Sequence, residues 1–91
     1  MTKEDWQLEV ASSAARSLER LPAKVATAVV EFMLGPLTLQ PRRIGHPLQR
    51  ELTGLWTARC GVYRIVYELK EEHRTIQVLW IDHRSDVYRN H

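Results

Sequence analysis

Eight residues near the C-terminus, Asp82-His83-Arg84-Ser85-Asp86-Val87-Tyr88-Arg89, bring together an imidazole, two guanidiniums and a phenol. A further guanidinium, Arg64, stands in the run Val62 to Leu69, with Val62 and Val66 as neighbours on its own face. These groups form an inventory for cutting an RNA strand. A base takes the proton from the 2′-hydroxyl, a cation stabilises the charge growing on the phosphorane, and an acid protonates the leaving 5′-oxygen. Arginines supply the positive charge, so this chemistry calls for no metal and no cofactor. Each feature also has a plainer reading. Arg64 can serve as a structural ion-pair partner of Glu68 or Glu51, and the tail can be a polar terminus anchored by Tyr88.

The elements that position these groups follow from periodicity. Trp6, Leu8 and Val10 alternate with Gln7 and Glu9, as in a strand with one buried face. Ser12 and Ser13 offer caps for a helix whose apolar stripe is Ala14, Ala15, Leu18 and Leu21. Pro22 suits the first turn of a second helix. Val25, Ala26, Val29, Val30 and Met33 give that helix its stripe, and Gly35-Pro36 is expected to stop it. A loop with Pro36, Pro41 and Pro47 follows, carrying Arg42, Arg43 and His46. Leu48 to Leu52 is a short candidate strand, broken at Thr53-Gly54, and Leu55 to Cys60 is the next, turning at Gly61. Val62 to Leu69 places Tyr63, Ile65, Tyr67 and Leu69 on one face and Arg64 on the other. Lys70 to Arg74 reads as a hairpin loop, and Thr75 to Ile81 as a central strand apolar on both faces near its end. The implied fold is α+β, with an N-terminal strand, a helical hairpin and an antiparallel strand meander. The helices pack on one face of the sheet.

Length and composition bound the function. The 91 residues read as one domain spanning 1–91, too small for a separate cofactor-binding half. The longest uncharged stretch, Phe32 to Pro41, is far too short to span a membrane. Met1-Thr2-Lys3-Glu4-Asp5 opens without an apolar segment behind it, so a cytoplasmic protein is expected. The single cysteine, Cys60, excludes an internal disulfide or a cysteine-based zinc site. The net charge of +2 is modest but uneven, since residues 42–91 hold nine basic and six acidic side chains and all four histidines. Arginine outnumbers lysine ten to three, which favours planar recognition of phosphate.

Several motifs together resemble the RelE/ParE toxin superfamily, specifically its RelE-like branch. They are Arg20-Leu21-Pro22, Pro47-Leu48, Glu51-Leu52, Gly54-Leu55-Trp56, Gly61-Val62-Tyr63-Arg64-Ile65-Val66-Tyr67 and His83-Arg84-Ser85-Asp86-Val87-Tyr88. The resemblance covers the chain from Trp6 to Arg89. It implies a RelE-like fold and the toxin of a type II toxin–antitoxin pair. Such toxins enter the ribosomal A site and cut mRNA there without metal, leaving a 2′,3′-cyclic phosphate. Arg64 matches the family's strand arginine, which stabilises the transition state at the scissile phosphate. Tyr88 matches the C-terminal tyrosine that stacks on or orients substrate and takes part in proton transfer. Arg84 matches a basic position shortly before it, and His83 occupies a slot that varies across the superfamily. The implied partners are a cognate antitoxin of RelB- or Phd-like type, the ribosome with bound mRNA, and operator DNA through the antitoxin alone.

The chain departs from the pattern on the strand before Tyr63-Arg64. Some relatives carry two lysines there, as base and phosphate ligand, whereas Leu55 to Arg59 offers Arg59 as its only cation. Arg59 is taken as the substitute. Another branch uses a carboxylate base, for which Glu51 is the nearest candidate. Two alternatives on the same fold stay open: a ParE-like inhibitor of DNA gyrase, and an inactive relative that works only in an antitoxin-dependent repressor complex. Arg42, Arg43 and Arg50 are candidates for sequence-blind contacts to RNA backbone or ribosome, or else a solvated loop. Trp6, Trp56 and Trp80 are read as core or antitoxin-interface aromatics, Tyr63 and Tyr67 as core, Cys60 as a packed strand residue, and His46 and His73 as surface residues.

Overall fold

The computed structural model describes residues 6–83. The N-terminal alternation forms β1 (Gln7–Val10), which runs parallel to the last strand, β5 (Thr75–His83), with Leu8 opposite Ile76 and Val10 opposite Val78. The rest of the sheet is antiparallel. Its strands are β2 (His46–Pro47), β3 (Trp56–Cys60) and β4 (Tyr63–Lys70), in the order β1-β5-β4-β3-β2. The tight β3–β4 turn needs Gly61, whose φ of 64° opens a two-residue loop at no steric cost.

Two helices follow β1: α1 (Ser12–Glu19) and α2 (Ala23–Phe32). Neither predicted serine caps α1. Ala11 holds the cap position, and the Ser13 hydroxyl instead donates to the Leu79 carbonyl on β5. Pro22 sits just before α2, where its carbonyl accepts from the Ala26 N–H at 2.9 Å.

The predicted stop at Gly35-Pro36 does not occur. The helix widens into a π-helical turn, Met33–Leu37, and continues to Leu39. In an α-helix Pro36 would lack a hydrogen bond to Phe32 and its ring would press on that carbonyl; a wider turn relieves both conflicts. The Thr38 hydroxyl donates to Leu34 O at 2.7 Å and Gly35 O at 3.1 Å, satisfying carbonyls that the turn leaves open. The expected loop also contains a further short helix, α3 (Pro41–Ile44), with Pro41 in its first turn.

The candidate strand Leu48 to Leu52 is not a strand. Strand pairing lies two residues earlier, in β2, and Arg50–Leu52 forms a 3-10 turn. Arg50 takes a φ of 60°, which breaks the extended path.

One irregularity decides which residues share a face. Val66 pairs with Trp80 while Tyr67 pairs with Val78, so Leu79 is an extra residue on β5. Before this bulge the even-numbered Ile76 and Val78 face the helices; after it the odd-numbered Ile81 does. The apolar appearance of both faces near the end of β5 thus arises from a phase switch rather than from two buried faces. The core lies between helices and sheet, where Ala14, Val29, Met33 and Leu37 meet Ala58, Ile65, Tyr67, Ile76, Val78 and Ile81. No helix among the described residues is long and apolar enough to cross a membrane.

Candidate active site

The face turned away from the helices carries two rows of side chains, because residues directly opposite one another on neighbouring strands project to the same side. The first row runs Arg59 on β3, Arg64 on β4 and Asp82 on β5. The second runs His46 on β2, Thr57 on β3, Val66 on β4 and Trp80 on β5. Opposed residues have Cβ atoms about 4.5–5.5 Å apart, so the two guanidiniums are built as neighbours. A pocket of about 430 Å³ opens over these rows, lined by Ile44, His46, Thr57, Ala58, Arg59 and Arg64.

The electrostatics of the first row favour an anion. Like charges directly opposed on adjacent strands repel, and Asp82 supplies a carboxylate only on the β5 side of Arg64. Two cations and one carboxylate leave a net positive row. A phosphate between Arg59, which is exposed, and Arg64, which is half-buried, would meet positive charge from two strands. Below them Thr57 is 2% exposed, and its hydroxyl oxygen has no hydrogen-bond partner among the described residues.

The β2 segment is held from beneath by Tyr67. Its buried phenol donates to the Pro41 carbonyl at 2.7 Å, and burial pushes its pKa up, keeping it a proton donor. Gly45 passes directly over this phenol. A Cβ there would collide with the Tyr67 hydroxyl and lie 2.7 Å from the Thr57 carbonyl oxygen. Gly45 is therefore fixed by close approach, and it delivers His46 to the pocket rim. Burial likewise raises the Cys60 thiol pKa, which suits a packed strand residue.

Not every sequence-predicted residue reaches this place. Arg59 and Arg64 come together. His83 does not join them: it pairs with Tyr63, sits on the helix-facing side of the sheet and meets the Tyr63 ring edge-on, with centroids 5.6 Å apart. The Leu79 bulge is the reason, since it moves Asp82 to the side of Arg64. Arg84 and Tyr88 lie outside the described residues. Glu51 is exposed on the 3-10 turn and does not line the pocket. Arg42 forms an ion pair with Glu71, and its guanidinium lies 5.4 Å from the centroid of the Trp6 ring, with Arg74 at 4.3 Å from the same centroid. Arg43 and Arg50 are exposed and do not line the pocket. His46, read from sequence as a surface residue, is the lining residue that sequence reasoning missed. Its strand is two residues long and carries no periodicity to detect. Among the described residues no cluster of His, Cys, Asp and Glu could hold a metal ion.

Comparison with known proteins places the chain in a family. The family described as the ParE toxin of type II toxin-antitoxin systems, parDE, matches residues 8–88. The chain belongs to that toxin family. Within it, the chain is 44% identical over 84 residues to Toxin RelG of Mycobacterium tuberculosis, covering 92% of this chain and 97% of that one. Identity to Toxin RelE of the same organism is also 44% over 84 residues, covering 92% of this chain and 87% of the relative. The crystal structure of the toxin–antitoxin complex RelBE2 from M. tuberculosis superposes with a TM-score of 0.85 at 42% identity, covering 88% of this chain and 99% of that one. The N-terminal strand, helical pair and meander expected from the sequence are therefore those of a RelE-like toxin.

Proposed function

We propose that this toxin is a ribosome-dependent endoribonuclease that cuts mRNA in the A site and so stops translation. The observation that carries the reading is the Arg59–Arg64 pair, side by side on the helix-free face and lining one pocket. In the reaction the substrate's 2′-oxygen attacks the adjacent phosphorus and the bond to the 5′-oxygen breaks. The products are a 2′,3′-cyclic phosphate and a 5′-hydroxyl. The negative charge that grows on the non-bridging oxygens is met by the guanidiniums of Arg64 and Arg59. Arg84 and Tyr88 enter on the sequence resemblance, Arg84 as a further cation and Tyr88 as the group that orients substrate. Arg43 and Arg50, both exposed, suit backbone contacts to ribosomal RNA. An antitoxin, the partner in the RelBE2 complex, would silence the toxin in the cytoplasm by covering this face, and would carry it to operator DNA.

A second reading has one observation in its favour: the matching family description is that of ParE, and a gyrase inhibitor on this fold would bind its target without cutting RNA. Inducing the protein in a bacterium and mapping mRNA ends separates the two. Cuts within translated codons, weakened by about 10²–10³-fold in Arg64→Ala as expected for loss of a preorganised charge, support the ribonuclease. Intact mRNA alongside double-strand DNA breaks would refute it in favour of gyrase.

A further inference from the structure

The pocket holds two permanent cations, but the reaction also needs a group to take the 2′-hydroxyl proton. Arg59 and Arg64 cannot, because a guanidinium stays protonated in proteins. Thr57 is an alcohol, and Ile44 and Ala58 are apolar. Among the described residues lining the pocket, His46 is the one whose side chain can accept a proton. From its place in the pocket we infer that His46 is the general base of the cleavage reaction, an inference that rests on the ribonuclease reading.

Three features place the imidazole for this role. Its register opposite Thr57 sets it on the face of Arg59 and Arg64. Its backbone is constrained on both sides, by Gly45 packed over the Tyr67 phenol and by the fixed φ of Pro47. It is exposed, so a nucleotide entering the pocket can reach it. The charged groups across the pocket are Arg59 on β3 and Arg64 on β4, with Asp82 on β5 beyond Arg64. The flanking segments add Arg42 and Arg43 on α3 and Arg50 and Glu51 on the 3-10 turn.

The step balances without a redox partner. Neutral His46 accepts the 2′-hydroxyl proton as the 2′-oxygen bonds to phosphorus, and the electron pair of the breaking bond leaves on the 5′-oxygen. That oxygen takes a proton from solvent, and the imidazolium returns its own proton to solvent after the cut, so no net proton is consumed.

The test is single-turnover cleavage of mRNA on programmed ribosomes across pH, using the full-length toxin and its His46→Gln, His46→Ala and Arg64→Ala variants. Antitoxin binding and thermal melting serve as controls for folding. The rate of the unsubstituted toxin is expected to rise through the pH range in which an imidazole loses its proton. His46→Gln is expected to be slower by about 10²–10⁴-fold, the usual contribution of a general base, and to lose that limb. Added imidazole should restore cleavage to His46→Ala in proportion to its concentration and should do nothing for Arg64→Ala. If His46→Gln keeps a rate within about threefold and the same pH limb, His46 is not the base, while the ribonuclease reading stands on the unsubstituted toxin. If the unsubstituted toxin cuts no mRNA at any pH, the reading and the inference fall together.

Discussion

The contact between Gly45 and Tyr67 makes a quantitative prediction about stability. Tyr67→Phe removes a fully buried hydroxyl and its 2.7 Å bond to the Pro41 carbonyl. That carbonyl keeps a longer bond from the Gly45 N–H at 3.4 Å, so it is not left bare. The expected loss is therefore about 1–2 kcal/mol, within the range for a broken buried hydrogen bond. Gly45→Ala acts from the other side. Its new Cβ collides with the Tyr67 hydroxyl and sits 3.0 Å from the ring carbon bearing it and 2.7 Å from Thr57 O. Overpacking of this kind costs about 1–3 kcal/mol. In the double variant the hydroxyl, the most severe obstacle, is gone, while the Thr57 carbonyl remains. The two losses should therefore fall short of their sum by about 0.5–2 kcal/mol, as expected for residues in direct contact. Urea unfolding of the four proteins measures this cycle, and each kcal/mol corresponds to roughly 4–8 °C of melting temperature in a domain of this size. Additive losses would refute the close approach. A double variant worse than the sum would mean that the hydroxyl supports Gly45 rather than obstructing a side chain there.

Three further outcomes follow from the same structure. Burial lifts the Tyr67 phenol above its ordinary value of 10.0, so the folded state holds that proton more tightly than the unfolded chain. The resulting stability is complete below pH 10 and is lost as the pH rises toward the folded value. Chemical denaturation toward about pH 11 should show a steeper fall for the unsubstituted toxin than for Tyr67→Phe, and parallel curves would contradict it. Ser13→Ala removes the hydroxyl that donates to Leu79 O at the bulge and should cost about 1 kcal/mol in a urea titration; no change would mean that solvent replaces the bond freely. In the cleavage assay Arg59→Lys should retain more activity than Arg59→Ala but less than the parent, because an ammonium restores the charge without the fork. Full activity in Arg59→Ala would remove Arg59 from the site.

The sequence made the large elements legible because their periodicities are long enough to read. The stripe Val25, Val29 and Met33 and the alternation Tyr63, Ile65 and Tyr67 both belong to the observed core. What escaped was local geometry. Gly35-Pro36 reads as a helix stop on chemistry that is correct for an α-helix, yet a π turn absorbs the same residues. β2 has two residues and offers no pattern, so the pairing that brings His46 opposite Thr57 depends on Gly45 fitting over Tyr67, a contact 22 residues apart in sequence. The Leu79 bulge had the largest consequence. Continuous alternation from Ile76 and Val78 would have carried Asp82 to the helix side and His83 to the side of Arg64. The extra residue exchanges them, and the carbonyl it displaces is met by Ser13.

On the ribonuclease reading, β3 presents Arg59 and no lysine, so charge stabilisation and proton acceptance are divided between different residues. A lysine can act as a cation or, once deprotonated, as a base, so one side chain can serve either need. A guanidinium serves only the first. On the ribonuclease reading, a site built on Arg59 and Arg64 holds negative charge but takes its proton acceptor from another strand. The inferred base, His46, comes from a segment held from below: Tyr67 holds Pro41, Gly45 leaves no room for a side chain, and His46 follows at the pocket rim.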